Sequence, residues 1–252
     1  MGQDNLKFPK IGVGAHQPEQ IWRDFEMFNI HINAHKQRWL KDVIDIIDAH
    51  RFEDDFCGIP TDGVPWDLPV PGGYSCMDAV NGVLLLDTTA SDPQEMVQIC
   101  ECWRLDNCYP LYGEIRFRLP DVTTPDFWFG YISDATAPPS FYTPPTDYVV
   151  FRKDAGDAIL DFVTELGGVP TTTTGAYTLV NNIWYRLGIH WDGAGTIRYF
   201  VIQDGDFPQT VLAAGSHTTN IPILELAFGF GVQGTTMTLQ TDYVKSVQKR
   251  VI

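Results

Sequence analysis

Positive charge is scarce in this chain: 17 Lys and Arg stand against 32 Asp and Glu, a formal charge of −15 over 252 residues. Such a surface repels nucleic acid and anionic membranes. Basic residues are scattered apart from the terminal "VQKR", so no nucleic-acid footprint is present. No run of about 18 apolar residues is available to span a bilayer. The opening "MGQDNLKFPK" lacks the apolar core of a signal peptide, so synthesis and assembly in a cytosol are expected. Cysteine is sparse, at five residues. An odd count without a C-x-x-C pair argues against a disulfide framework and a zinc knot. The thiols are expected to be reduced and to pack as small hydrophobes. Cys102 and Cys108 flank "WRLDN" and would pair across it only in an oxidising setting.

Catalytic motifs are missing as well. No Walker loop, G-x-G-x-x-G fingerprint or G-x-S-x-G elbow occurs. "HINAH" spaces His31 and His35 by one helical turn, but Ile32 follows the first histidine where the zincin motif needs glutamate. Asp121, Asp126 and Asp134 are loop carboxylates without the spacing of a calcium site. No cofactor and no metal are expected.

What is present is apolar and strand-like. Hydrophobic residues make up 44% and aromatics 13% of the chain, enough for a substantial core. Residues 1–50 read as an N-terminal arm or helical extension: Pro18 suits a first helical turn, and Ile21, Trp22, Phe25 and Phe28 recur at helical spacing. From residue 51 the pattern is strands and turns. "GIPTDGVPWDLPVPGG" (58–73) reads as loop, as do "ATAPPSFYTPPT" and "GGVPTTTTG". In "MVQICECWR" (96–104), alternation puts Met96, Gln98, Cys100, Cys102 and Arg104 on one face. In "YGEIRFRL", Ile115, Phe117 and Leu119 point inward and Glu114, Arg116 and Arg118 outward. In "WYRLGIHWDGAGTIRYFVIQDG", Tyr185, Leu187, Ile189 and Trp191 share one face, the chain turns through Asp192–Gly195, and Ile197, Tyr199 and Val201 share a face of the next strand. About ten such strands with little helical period predict an antiparallel β-sandwich over 51–252.

The segment "NIWYRLGIHWDGAGTIRYFVIQDG" resembles the W-x-x-L-x-I-x-x-D-G ribbon of concanavalin A-like, laminin-G-like jelly rolls. "RFEDDFCG", "YGEIRFRL", "FWFGYIS" and "TMTLQTDYVKSVQKR" resemble further strands of that fold. The layout, with its closing D-Y-x-x-x-x-Q-x-R, is most similar to virion structural proteins of tailed bacteriophages. The resemblance implies a jelly-roll sandwich that decorates or cements a phage capsid, located in the virion after assembly in the host cytoplasm.

Glycoside hydrolases of the laminarinase type share this fold and use E-x-D-x-x-E on one strand, supplying the paired carboxylates the reaction needs. That triplet is absent. Glu101 is followed at i+2 and i+5 by Trp103 and Asp106, and Glu114 by Arg116 and Leu119. Within "EDD", Glu53 and Asp55 share a face, but Gly58 takes the third position. The expectation is a protein without enzymatic activity. Its partners would be the major capsid protein or other virion proteins, with the chain homo-oligomeric or bound to a lattice. Phe8, Ile21, Trp22, Phe25 and Phe28 are the docking candidates. The alternative is a lectin-like module of a head or tail fibre that reads host glycans, with Trp66, Trp128 and Tyr142 as stacking candidates.

Overall fold

A computed structural model describes residues 49–56, 61–62, 65–67, 74–77, 82–88, 94–98, 102–105, 109–133, 145–204, 211–234 and 237–249. They form β1 (Ala49–Asp54), β2 (Thr61–Asp62), β3 (Pro65–Asp67), β4 (Tyr74–Met77), β5 (Val83–Asp87), β6 (Gln94–Gln98), β7 (Trp103–Arg104), β8 (Leu111–Arg118), β9 (Asp126–Ile132), β10 (Tyr148–Lys153), β11 (Ile159–Leu166), β12 (Val169–Thr178), β13 (Tyr185–Trp191), β14 (Ile197–Gln203), β15 (Val211–His217), β16 (Glu225–Gln233) and β17 (Thr238–Lys249). No helix occurs among the described residues.

Two sheets result. The first runs β15-β14-β13-β8-β17-β5-β4, with β1 pairing β17 beyond β5. The second runs β12-β11-β10-β9-β16-β6-β3-β2, with β7 pairing β16. Pairing is antiparallel throughout except for the two-residue β2–β3 match. Alternation decides which side chains meet between the sheets. Ile115, Phe117, Leu187, Ile189 and Leu239 are all buried, as their spacing requires. Aromatic pairs close the gap. Phe117 of the first sheet stacks on Phe127 of the second at 4.6 Å, and Tyr199 meets Phe162 at 4.4 Å. The Tyr131 hydroxyl pairs with Ser246 across the core at 2.7 Å, so that polar tip is satisfied.

Four stretches depart from the sequence reading. The Pro/Gly-rich 58–73 contains β2 and β3, and Trp66 of β3 pairs with Gln98. The run 96–104 is two strands, so Met96 and Trp103 both enter the core and Arg104 faces solvent. "VPTTTTGAYT" is β12, the terminal strand of its sheet, because threonine is β-branched and suits a half-exposed edge. β15 was also not expected. Its His217 explains the threonines: the ring lies between Thr164 (3.0 Å) and Thr173 (2.8 Å) and ties the two sheet edges together.

Gly130 is fixed by backbone geometry. Its φ is +153°, and a β-carbon there would strike the Val149 carbonyl oxygen of β10. Only glycine lets β9 and β10 pair without displacement.

Candidate functional site

The outward face of the first sheet carries a polar array that strand register builds row by row. Trp184 immediately precedes Tyr185, which faces the core, so Trp184 and Arg186 face out. Tyr185 lies opposite Phe117 and Gln203, and Gln240 lies opposite Arg118. The first row therefore holds Asp204, Trp184, Arg118 and Gln240. The second holds Ile202, Arg186, Arg116 and Tyr243, and the third Phe200, Gly188, Glu114 and Lys245. In the third row Phe200 lies over the bare backbone of Gly188.

Charge is closely paired here. Arg116 donates to Asp204 at 2.5 Å and to Asp242 at 2.6 Å, and Arg186 donates to the other Asp204 oxygen at 2.9 Å. Burial opposes the Arg116 charge. The hydrogen bonds and charges of Asp204 and Asp242 together outweigh burial and hold the guanidinium above its ordinary pKa. Arg116 and Arg118 also sit over the Trp184 indole, 4.4 and 4.9 Å from a ring centroid. Arg118 donates to Gln240 at 2.8 Å. Trp184, Arg116, Arg118, Asp204, Gln240 and Asp242 are all partly exposed.

Deeper in the array, the Glu114 carboxylate is fully buried. It accepts from the Tyr112 hydroxyl, from the Tyr243 hydroxyl at 2.5 Å, and from Lys245 at 3.1 Å. Burial first and the Glu114 charge second push both phenols well above their usual range. Glu114 thus joins β8 to β17, and its i+2 and i+5 neighbours remain Arg116 and Leu119.

The outward face of the second sheet is mostly apolar, with Val97, Ile132, Val150, Val163 and Ala227 clustered there. Trp128 lies across Gly229 and Gly231 of β16, where any β-carbon would meet the indole. Its Nε1 donates to Glu95 at 3.4 Å. Burial raises the Glu95 pKa to about 8 against that hydrogen bond. Register places Gly231, Trp128, Arg152 and Asp161 after Glu95 along this row, so the next carboxylate within the row is four strands away. At about 4.8 Å per strand that is roughly 19 Å, too far for a glycosidase pair.

The stacking candidates fall in different places. Trp66 is wholly buried between the sheets against Phe52, Phe56 and Phe230, with Nε1 donating to Asp54, so it has no face for a sugar. Trp128 is 5% exposed. Tyr142 lies outside the described residues, as do Phe8, Ile21, Trp22, Phe25, Phe28, His31, His35, Glu101 and Asp134. Asp121 caps a turn through Thr123 and Thr124, and Asp126 accepts from the Ala155 amide. No group of three His, Cys, Asp or Glu side chains forms a metal site among the described residues. Trp184 was not singled out from the sequence, although alternation in "IWYRLGIHW" already puts it on the face opposite Tyr185, with Arg186.

The architecture defines a concanavalin A-like β-sandwich, and known structures share it. The SO2946-like, C-terminal domain family matches residues 140–245, which span β10 to most of β17. The crystal structure of SO2946 from Shewanella oneidensis MR-1, a protein of unknown function, superimposes with a TM-score of 0.60 at 14% identity, covering 86% of this chain and 95% of that one. The endo-1,3-β-glucanase of Streptomyces sioyaensis gives 0.53 at 12% identity, over 81% of this chain and 98% of the enzyme. The VIP36 exoplasmic/lumenal domain with Ca²⁺ and Man₃GlcNAc gives 0.53 at 14% identity, over 81% and 89%. These likenesses establish the fold. No curated protein sequence matches.

Proposed function

We propose that the chain is a non-catalytic glycan-binding sandwich whose site is the Trp184 end of the first sheet. The observation that carries this reading is the partly exposed Trp184 indole with Arg116 and Arg118 over its ring and Asp204, Asp242 and Gln240 bonded to those guanidiniums. A sugar offers one apolar ring face and a rim of hydroxyls. An aromatic surface surrounded by fixed donors and acceptors complements both. The glycan-bound state of the structurally similar VIP36 domain is consistent with this use of the fold. Asp204 and Asp242 lie close together, but both are held in ion pairs with Arg116, which favours binding over hydrolysis.

Isothermal titration against a panel of oligosaccharides tests the reading. At least one should bind, and Trp184→Ala should weaken it about tenfold or more. β-1,3-Glucan should stay uncleaved. An unaltered affinity in Trp184→Ala would remove the site from this face.

The setting we propose is the surface of a tailed-phage particle, as decoration or fibre, with residues 1–30 as the docking segment. Its support is the sequence layout and the aromatic set Phe8, Ile21, Trp22, Phe25 and Phe28. Mass spectrometry of purified virions should find the chain in fixed ratio to the major capsid protein. Its absence from particles would exclude the setting and leave the glycan reading standing.

A further inference from the structure

We infer that the Trp184 site selects carboxylated glycans, with Arg118 as the specificity-determining residue; this rests on the glycan reading above. Within the first two rows and the β17 bulge, Arg116, Arg118 and Arg186 supply +3 and Asp204 and Asp242 supply −2, leaving +1. Adding Glu114 and Lys245 leaves that balance unchanged. Asp87, exposed on the same face beside Thr238, brings the balance of this wider end of the sheet to zero on a chain that carries −15, so the surplus is confined to the rows around Trp184.

The surplus belongs to one side chain. Arg116 and Arg186 are both committed to carboxylates. Arg118 makes no ion pair among the described residues, and its hydrogen-bond partner Gln240 is neutral. Its Nε and one terminal nitrogen both point at the Gln240 oxygen, as a guanidinium fork points at a carboxylate. An anionic ligand would either take that place from the amide or bind the remaining nitrogen. Stacking on Trp184 fixes the plane of the fork, which lowers the ordering cost of a two-point contact. A neutral sugar would leave the surplus charge uncompensated. A uronate or another carboxylated sugar would cancel it while its ring meets the indole.

The test compares, by titration calorimetry, an oligogalacturonate with a neutral oligosaccharide of equal length. The uronate should bind at least tenfold more tightly at low salt, and the advantage should shrink as sodium chloride is raised. Arg118→Gln should bring the uronate affinity down at least tenfold. Arg118→Lys, which keeps the charge without the fork, should fall between. Thermal melts establish that both variants are folded. A neutral oligosaccharide that binds as tightly as the uronate, or a preference that survives in Arg118→Gln, overturns this inference and leaves the glycan reading intact. If neither oligosaccharide binds, the glycan reading falls and this inference with it.

Discussion

Glu114→Ala should lower the melting temperature by roughly 10 °C, because removing one member of a buried charge network costs about 3–5 kcal/mol and 1 kcal/mol shifts a domain of this size by about 2–4 °C. The substitution leaves the Tyr112 and Tyr243 hydroxyls without their acceptor and Lys245 without its counter-ion. Lys245 is only 14% exposed at its side chain, so water replaces the lost partner poorly. Glu114→Gln keeps the volume and one acceptor and should cost less. Added salt should rescue neither variant, since a pair this deep is little screened. Differential scanning calorimetry at pH 7 checks the expectation. A shift of under 2 °C in Glu114→Ala would mean the network adds nothing to stability.

Glu95→Gln should act the other way and stabilise the protein at alkaline pH. The folded-state pKa of Glu95 is about 8 against an ordinary 4.5. The contribution of the protonated form is full below pH 4.5. It is lost as pH rises through the interval to about 8, where the unfolded chain has already released the proton and the folded chain still holds it. Shift and linkage together put the cost above pH 8 on the order of 5 kcal/mol at most. Glutamine accepts the Trp128 Nε1 bond without a proton to lose. The variant should match the wild type near pH 4.5 and melt higher at pH 9. The acid limb should be unchanged, because it belongs elsewhere. Burial, with Arg198 next in weight, lowers the His190 pKa to about 3, so its stabilising contribution is lost as pH falls from 6.5 toward 3. Equal melting temperatures for variant and wild type at pH 9 would show that Glu95 is not buried as a neutral acid.

Alternation alone was enough to read the inner faces of β8 and β13, because one side of each strand is packed and the other largely polar, and it held for β14 although Phe200 and Ile202 lie on its other side. It failed where polarity was mistaken for exposure or for loop. The threonines of β12 are polar because they sit at the seam beside His217. Trp66 sits in a Pro/Gly-rich stretch yet is buried, since Asp54 satisfies its indole N–H. Arg116 and Arg118 were legible as outward residues, but the cluster they form was not. It needs Asp204 and Asp242, brought from 88 and 126 residues along the chain by the pairings of β13, β14 and β17. A bulge at Asp242 adds to this: the shift between Thr241 and Tyr243 turns a second carboxylate toward Arg116, and no local periodicity announces it.

The most direct test of the central claim is an NMR titration that follows the indole N–H signals of the seven tryptophans as the best-binding oligosaccharide is added. The Trp184 signal should shift progressively and saturate with the calorimetric affinity, while Trp66 and Trp103, both sealed in the core, stay in place. Saturable binding that leaves Trp184 unmoved would contradict the account and place the glycan site on another surface.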